Sequence, residues 1–485
     1  MPAAPEFLRN IPEQERPRVN SNSKAEIRRR LPEKLEESLS DTEGNVLQGL
    51  EQVVDNIDPI WQVQKQTPFY FRGATEAEIR ELGKTNSEIL SPYTYAEKRN
   101  GTIIAVPYHE KFAEEIGPIV ENIGLTQLII PAHNYELMAQ FYDRLTTLKE
   151  AFESDKWEEA DKERFKKPWV NKVEFVIGPF EVNIDSFGIK TSYQAVVGVI
   201  DEEKTRELER RINAAKSRVK GKEIPNIELK VMHVTAATGI TNPSTREPWK
   251  AQVLPNDPEF VRKVGARGLI FINLLEEHFE TKLYPIMKRV FEPGILQKIT
   301  KLELFNAYLI WIALHELHHP ITREVNQDER QGSKFLPFHE KHCDIAGTAA
   351  AFRLAEDNII RDEQFEAILM VHIARSLNDI YSYQFSNKKF PDPYAEGSQP
   401  EFNYLAEFSG LKPPKEDGKL GLYQKDQLTA AIVSLNGKFN IDAKRASKEE
   451  LEEEFFSRYR SGKGYKFAEP LLQDLFEEPQ PVLSS

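Results

Sequence analysis

The sequence predicts an α+β protein with two lobes, one mixed and rich in β-strands and one mostly helical. With 485 residues the chain is too long for one small core, so two or three compact regions are expected. Segments typical of strands are concentrated before about residue 275, whereas helical patterns dominate from Glu276 to about Tyr383. This separation of strands from helices along the chain is typical of an α+β fold.

The composition excludes several classes of protein. Lys and Arg number 64 against 77 Asp and Glu, and the resulting net charge of −13 argues against a general nucleic-acid binder. The single cysteine, Cys343, excludes an internal disulfide framework and fits a reducing compartment. Residues 1–22 lack an apolar segment of signal-peptide length, and the uncharged run 305–314 is too short to span a bilayer. We therefore expect a soluble, cytoplasmic protein that binds neither nucleic acid nor membrane.

The first elements follow from local patterns. Residues 1–22 are polar and rich in proline, and we expect a flexible tail. Apolar residues three and four apart predict helices from Ser23 to about Gln64. "TYAEKRNGTIIAVPY" has strand character on both sides of Asn100-Gly101, a pair typical of a hairpin turn. "HEKFAEEIGPIVENI" is helical again.

The later part of the mixed region reads as strands and one charged helix. "VEFVIGPFEVNI" and "YQAVVGVI" are predicted strands on either side of a loop, and "IELKVMHVTAAT" and "RGLIFINLL" are two more. "EEKTRELERRINAAKSRVK" is a solvated helix. We expect residues 23–257 to form mainly the mixed lobe and residues 258–410 mainly the helical lobe. Residues 411–485 are expected to be a C-terminal segment that returns to the mixed lobe.

One motif in the helical region carries chemistry. The uncharged run 305–314 leads directly into His315-Glu316-Leu317-His318-His319, an HExxH sequence. On a helix, residues i and i+4 lie on the same face, so His315 and His319 can both reach one metal ion, and neutral imidazole suits Zn²⁺. Glu316 can take a proton from the attacking water. The apolar run is then the buried part of the metal helix, whose packing fixes the two imidazoles.

The register of this motif leaves an alternative open. His315 and His318 could pair at i, i+3, but the i, i+4 pair with His319 leaves Glu316 in its usual place and is preferred. Pro320 is predicted to end the helix just after the second ligand, because proline disfavours α geometry in the preceding residue. A cluster of surface histidines at a helix end is the alternative without a metal.

A third ligand is predicted downstream, in "FHEKHCDIAGTAAAF" at residues 338–352. Glu340 and Asp344 are again i, i+4 on a predicted helix. Glu340 can complete a His₂Glu site with one open position, and Asp344 can hold a ligand imidazole. His339 and His342 are expected to flank the site without binding metal, and Cys343 is expected to be buried in packing.

These motifs give the chain a resemblance to the dipeptidyl peptidase III family of zinc hydrolases, in its shorter HExxH form. Similar domains occur fused to Nudix domains in plants. "LHELHH" and "HEKHCDIAG" resemble the zinc motifs of the family. "GPFEV", a later "FG", "VVGV", "LPND" and "GLIFINLL" resemble its mixed lobe. The resemblance covers roughly residues 55–410.

The resemblance implies two lobes with a wide cleft, zinc on the helical lobe, and a β-rich lobe that grips the substrate. It also implies that Glu181 and Asn256 hold the free amino terminus of a peptide. The family pattern has Asn and Tyr where this chain has Val253 and Asn183. The expected metal centre is therefore intact, whereas the clamp on the amino terminus and the oxyanion side are altered.

Four other residues are candidates for oxyanion contact but have a structural interpretation that we prefer: Tyr193, His372, Arg375 and Tyr404. "REVNQDE", residues 323–329, resembles part of a Nudix box, but the upstream Gly and Glu are replaced by Leu309 and His315. A pyrophosphohydrolase is therefore rejected.

The sequence as a whole predicts a zinc metallopeptidase that cleaves peptide bonds of short peptides. Two alternatives stay open: hydrolysis of a non-peptide amide or ester by the same centre, and a non-catalytic binding protein that retains the metal site. The expected partner is a peptide or another small hydrolysable substrate, and the expected state is a monomer or a homodimer.

Overall fold

The computed structural model describes residues 25–130, 135–166, 171–182, 184–217, 225–242, 247–384, 393–409 and 425–460. The chain divides into two compact units. The first contains residues up to Asp201 together with Met232–Trp249, and the second contains Glu202–Val231 and the residues from Lys250 onward. The predicted tail, residues 1–22, lies outside the described residues.

The first unit is mixed. Besides a 3₁₀ turn at Ser87–Leu90, its elements are, in chain order, β1 (Ile27–Arg28), α1 (Glu33–Glu36), α2 (Asp41–Gln66), α3 (Glu76–Thr85), β2 (Thr94–Arg99), β3 (Thr102–Pro107), α4 (Tyr108–Lys111), α5 (Ala113–Ile129), α6 (Tyr135–Ser154), α7 (Trp157–Lys166), β4 (Val173–Glu181), β5 (Ser192–Ile200) and the second half of β6 (Ile227–Thr238).

Antiparallel strands form the sheet of this unit. β5 lies between β4 and β6, and β1 adds to the far side of β6 through Ile27 opposite Ala237. All nine residues of β5 are buried, as expected for a strand covered on both faces. The predicted hairpin is confirmed: β2 pairs with β3, and Asn100 and Gly101 both have positive φ, as a type I′ turn requires.

The long helix α2 covers this sheet. Ser40 accepts a hydrogen bond from the Glu43 N–H while the Glu43 carboxylate accepts from the Ser40 N–H, a capping box that starts the helix. α2 packs against β5 and against α5. A Cβ placed on Gly49 would lie 2.4 Å from Thr126 Oγ1, so the two helices approach closely only because residue 49 has no side chain.

The second unit is mostly helical. Besides π-helical turns at Phe279–Leu283 and Glu452–Ser457 and a 3₁₀ turn at Gly332–Lys334, its elements are α8 (Glu202–Lys216), the first half of β6, β7 (Ala251–Leu254), α9 (Pro258–Lys263), β8 (Ala266–Phe271), α10 (Ile272–His278), α11 (Tyr284–Val290), α12 (Pro293–Leu296), α13 (Lys301–Thr322), α14 (Gln327–Gln331), α15 (Phe335–Glu356), α16 (Asp362–Gln384), α17 (Pro393–Ser409), α18 (Lys425–Arg445), α19 (Lys448–Leu451) and α20 (Arg458–Arg460).

A bundle around α13 and α15 forms the core of this unit. α13 packs against α15 and α16, and α15 packs against α17 and α18. Thr300 and Glu303 form a capping box that starts α13, and fifteen residues of the helix are buried. Burial of a large apolar side chain contributes about 1.5–3 kcal/mol, so this packing holds the metal-motif helix rigidly.

Two local predictions differ from the structure. The helix predicted from Ser23 forms only at Glu33–Glu36, because Ile27 pairs in the sheet and tertiary pairing outweighs helix propensity. α13 does not end at Pro320 but continues to Thr322. Proline in the last turn removes only one helical hydrogen bond, and the Arg323 N–H still donates to the His319 carbonyl.

The C-terminal segment also differs from the expectation. Of residues 411–485 the structure describes 425–460, and these belong to the second unit, where α18 packs against α15 and α17. The predicted α+β class, with a mixed unit and a mainly helical unit, is confirmed. The observed boundary at residues 249 and 250 lies close to the predicted one at 257, although α8 and the start of β6 join the helical unit. Within the described residues, no helix is long and apolar enough to cross a membrane.

Candidate metal centre

Helical periodicity places the two predicted histidine ligands on one face of α13. His315 is buried and His319 is partly exposed, and their Nε2 atoms lie 2.9 Å apart. Trp311, one turn earlier, stacks toward the His315 ring with 5.9 Å between ring centroids. His318 faces its own helix, because its Nδ1 lies 2.6 Å from the Leu314 carbonyl oxygen. The geometry therefore favours His319 over His318 as the second candidate ligand.

α15 brings the third candidate ligand against these imidazoles. A Cβ on Gly347 would lie 3.0 Å from the His315 backbone nitrogen, so this glycine permits a close approach of α15 to α13. The approach places Glu340 Oε2 3.4 Å from His315 Nε2 and 3.7 Å from His319 Nε2.

The spacing of the three donor atoms fits a metal ion. In a tetrahedral zinc site, donors about 2.0–2.1 Å from the metal lie about 3.3 Å apart, and the three separations here scatter around that value. Glu340 Oε2 is buried and has no hydrogen-bond partner, although burying a carboxylate oxygen without compensation is costly. Among the described residues, His315, His319 and Glu340 form one of two groups whose donor atoms are close enough to hold a metal ion.

Asp344 is the hydrogen-bond partner of the first imidazole. Its Oδ1 lies 2.7 Å from His315 Nδ1, so the opposite nitrogen, Nε2, is turned toward His319 and Glu340. Burial lowers the pKa of His315, but the carboxylates of Asp344, Glu340 and Glu316 outweigh it and raise that pKa to about 10. Burial opposes ionisation of Asp344 and Glu340, but the neighbouring Lys341 and His315 hold the pKa of Asp344 below its usual value, and the two imidazoles lower that of Glu340.

The second imidazole has a different environment. His319 Nδ1 lies 3.1 Å from His339 Nε2 and 3.5 Å from Cys343 Sγ. Burial lowers the pKa of His319 to about 4 and that of His339 well below its usual value. If His319 Nε2 held a metal ion, its Nδ1 would carry the proton and could donate it to His339.

His319, His339 and Cys343 form the second group of compact donor atoms among the described residues. Cys343 is fully buried, its Sγ lies 3.3 Å from Thr322 Oγ1, and burial raises the pKa of its thiol. Hydrogen bonding explains why these three residues lie close together. They meet at Nδ1 of His319, on the other side of the ring from the candidate ligand atom Nε2. The prediction that Cys343 is buried in packing is confirmed.

Glu316, the predicted base, directly follows His315 on α13 and is 5% exposed. A glutamate with so little solvent exposure is rare unless it has a function or a pairing partner. Lys341, which sequence reasoning did not single out, is fully buried one residue after Glu340 and donates to Asp344 Oδ2 at 2.6 Å. The sequence signal that could have identified Lys341 is a charged residue within a helical segment that is otherwise expected to be buried.

The predicted substrate-binding residues lie apart from this cluster in the chain. Glu181 is half-buried at the end of β4 in the first unit, whereas Asn256 is exposed after β7 in the second unit. Val253 faces Gly268 across β7 and β8 and packs partly against the core. Asn183 lies outside the described residues. The roles of these four positions stay predictions.

The four candidates for oxyanion contact each make contacts with neighbouring residues. Tyr193 is fully buried and stacks on Phe152 in the first unit, with 5.7 Å between ring centroids. His372 lies 2.8 Å from Thr348 Oγ1 and 2.5 Å from Glu401 Oε1. Arg375 pairs with Asp379 at 2.8 Å, and Tyr404 is buried against Phe408 and Tyr459. These contacts agree with the preferred structural interpretation.

Comparison with known proteins identifies the fold. No family model matches the chain, and no curated protein matches it in sequence. Among solved structures, it is similar to dipeptidyl-peptidase III from Corallococcus sp. strain EGB, with a TM-score of 0.78 and 18% identity over 94% of both chains. It is also similar to DPP III from Caldithrix abyssi, with a TM-score of 0.75 and 16% identity over 95% of this chain and 98% of the other. The protein therefore has the fold of dipeptidyl-peptidase III structures, and it has candidate His/Glu metal-binding groups.

Proposed function

We propose that the protein is a zinc-dependent hydrolase that cleaves peptide bonds of short peptides. The observation that carries the proposal is the convergence of His315, His319 and Glu340, whose donor atoms are spaced as a tetrahedral metal site requires. A buried glutamate, Glu316, stands beside the first of these residues, as the chemistry needs. The fold shared with two dipeptidyl-peptidase III structures supports the same class of reaction.

Each residue of the candidate site would have a distinct role. His315, His319 and Glu340 would hold Zn²⁺, which supplies Lewis acidity to the scissile carbonyl and to water. Asp344 and His339 fix the rotation of the two imidazoles through their Nδ1 atoms. Glu316 takes a proton from the attacking water and passes it to the leaving amine. Burial of Glu316 keeps its carboxylate away from bulk water and strengthens its local interactions.

The preference for dipeptide release is the less supported part of the proposal. A buried peptide amino terminus is a cation that needs a carboxylate and hydrogen-bond acceptors. Glu181 supplies a carboxylate and Asn256 an acceptor, whereas Val253 supplies none. We therefore propose a metallopeptidase whose release of dipeptides is weak.

Two alternatives compete with this proposal. The same centre could hydrolyse a non-peptide amide or ester, and a binding protein could retain the metal site without catalysis. The presence of Glu316 beside the three candidate ligands disfavours the second alternative. A protein that only binds the metal does not require a catalytic base.

A peptide library distinguishes these possibilities. The zinc-reconstituted protein, the chelator-treated protein and Glu316→Gln should be incubated with the library and, separately, with non-peptide amide and ester probes, and products should be identified by mass spectrometry. Cleavage that needs both zinc and Glu316 supports the peptidase. Cleavage of amide or ester probes alone favours the non-peptide hydrolase, and zinc binding without any turnover favours the binding protein.

A further inference from the structure

Lys341 is one of two fully buried lysines among the described residues, the other being Lys190. Their surroundings differ in kind. Lys190 donates to the carbonyl oxygens of Ile89 and Ser91 and to the Thr94 hydroxyl, so it serves backbone packing in the first unit. Lys341 instead faces carboxylates next to the candidate metal centre, which calls for a separate explanation.

Three helices of the second unit contribute oxygen atoms around the Lys341 ammonium. Nζ lies 2.6 Å from Asp344 Oδ2 on α15 and 2.8 Å from Ser398 Oγ on α17. Asp379 Oδ2 on α16 lies at 3.5 Å, and Glu401 Oε2 on α17 at 3.8 Å. A buried ammonium needs such a set of acceptors to offset its loss of hydration.

The aliphatic stem of Lys341 packs closely against α17. A Cβ on Gly397 would lie 2.4 Å from Lys341 Cγ and 2.8 Å from the Pro337 carbonyl oxygen. α17 can therefore lie against α15 at this point only with glycine at 397. The stem of Lys341 is therefore confined between α15 and α17.

The two oxygens of Asp344 link this ammonium to the metal centre. Oδ2 accepts from Lys341 Nζ at 2.6 Å, and Oδ1 lies 2.7 Å from His315 Nδ1. A carboxylate with one oxygen held by a fixed donor can no longer rotate freely, so its other oxygen has a defined direction. That direction points at the nitrogen that orients the His315 ring.

We infer that Lys341 is a positioning residue for the metal centre, which acts through Asp344 to hold His315 in the orientation that a metal ion requires. The inference rests on the metal site of the proposed function. It predicts that Lys341 affects metal binding only while Asp344 is present. A purely structural tie between helices would instead weaken metal binding whether or not residue 344 is a carboxylate.

A double-mutant cycle separates these two roles. The zinc dissociation constants of wild type, Lys341→Met, Asp344→Asn and the double variant are measured by competition with a chromophoric chelator. Loss of an orienting partner of a ligand histidine weakens metal affinity about 10–100-fold, so each single variant should lose that much. The double variant should lose no more than Asp344→Asn alone. Absorption of the Co²⁺-substituted proteins reports the ligand geometry independently and should be altered alike in the three variants.

The matched control is Lys438→Met. Lys438 also pairs with a carboxylate on a helix of the same unit, Asp442 at 2.7 Å, but it lies on α18 and touches no candidate ligand. This control should bind zinc as wild type does. Unchanged affinity in Lys341→Met would overturn the inference, and so would a further loss of tenfold or more in the double variant relative to Asp344→Asn.

The cycle decides the question even when Lys341→Met does not fold. In the double variant the remaining carboxylates keep other partners, since Asp379 pairs with Arg375 and Glu401 with His372. Comparison of the double variant with Asp344→Asn then tests for a role that is independent of Asp344, and Lys341→Gln, which also removes the ammonium charge, replaces Lys341→Met as the single variant. The affinity measurements use no peptide. A protein that binds zinc but hydrolyses nothing would therefore contradict the proposed function without contradicting this inference. A wild type that binds no zinc contradicts both.

Discussion

His315 Nδ1 and Asp344 Oδ1 lie 2.7 Å apart, and this hydrogen bond connects the metal-motif helix α13 to α15. Because an imidazole presents its two nitrogens in opposite directions, the bond at Nδ1 sets where Nε2 points. Nε2 then lies 2.9 Å from His319 Nε2 and 3.4 Å from Glu340 Oε2. A histidine, a histidine and a glutamate separated by up to 25 positions in the chain thus converge on one point.

The first prediction concerns metal content. The zinc-reconstituted protein should hold one Zn²⁺ per chain, and His315→Ala and Glu340→Ala should lose it, because each removes one of three ligands. His318→Ala is the matched control, since His318 bonds to the Leu314 carbonyl oxygen and should leave zinc in place. Elemental analysis after dialysis measures this. Zinc retained in Glu340→Ala, or lost in His318→Ala, would contradict the ligand set.

The second prediction separates binding from chemistry. Glu316→Gln should keep its zinc and its fold but lose hydrolysis by about 10²–10⁴-fold, because an amide cannot accept the proton of the attacking water. Glu356→Gln, an exposed residue at the end of α15, is the control and should retain activity. Initial rates on the best library substrate provide the measurement. Turnover of Glu316→Gln within a few-fold of wild type would exclude Glu316 as the base.

The third prediction concerns protons released by metal binding. The pKa of His315 is raised to about 10 in the metal-free protein, so this imidazole is protonated at pH 8, and a metal ion must displace that proton. Zinc affinity should therefore increase about tenfold per pH unit below pH 10 and level off above it. His319, with its pKa lowered to about 4, is already neutral and should release none.

Calorimetric titrations with zinc at pH 8, in buffers of different ionisation enthalpy, count the released protons. Wild type should release about one. Asp344→Asn removes the strongest of the interactions that raise the His315 pKa and should release fewer. Equal release from both proteins would show that His315 is not the group that loses the proton.

The fourth prediction concerns the substrate end. Hydrolysis of a dipeptidyl arylamide with a free amino terminus should be weak in wild type, because Val253 and Asn183 replace the asparagine and tyrosine of the family pattern. It should rise in Val253→Asn/Asn183→Tyr and fall in Glu181→Ala, which removes the carboxylate for the terminal ammonium. Rates on the unblocked substrate and its N-terminally blocked analogue are compared in all three proteins. Strong wild-type activity on the unblocked form alone would show that the two replacements do not matter. Equal rates on the blocked and unblocked substrates, with no loss of rate in Glu181→Ala, would favour an endopeptidase or a non-peptide hydrolase.

The proximities within the candidate site that can be expected from the sequence are those that depend on one helix at a time. His315 and His319, like Glu340 and Asp344, are four residues apart, and helical geometry alone puts each pair on one face. The hydrogen bond between Asp344 and His315 then needs only that α13 and α15 meet. The hairpin at Asn100-Gly101 was predictable for the same reason, since a type I′ turn is a local property.

Contacts between distant elements were not predictable in this way. Apart from Asp344, the partners of Lys341 lie on α16 and α17, up to 60 residues further along the chain, and no local pattern indicates that they meet. Ile27 joins the sheet because Ala237, far away in sequence, offers it a free strand edge. Helix α13 passes through Pro320 since the surrounding packing outweighs the loss of one hydrogen bond.

The arrangement around Lys341 also has a consequence for how the protein is made. The oxygens that hold its ammonium end with Glu401, whereas the HExxH motif begins at His315, so the ribosome must add some 86 further residues before the orienting contacts can form. A newly made chain thus exposes its histidines well before it can position them. If the second unit binds zinc as proposed, metal binding would follow the folding of that unit, and a chain made without zinc would be a folded apoprotein rather than an unfolded chain.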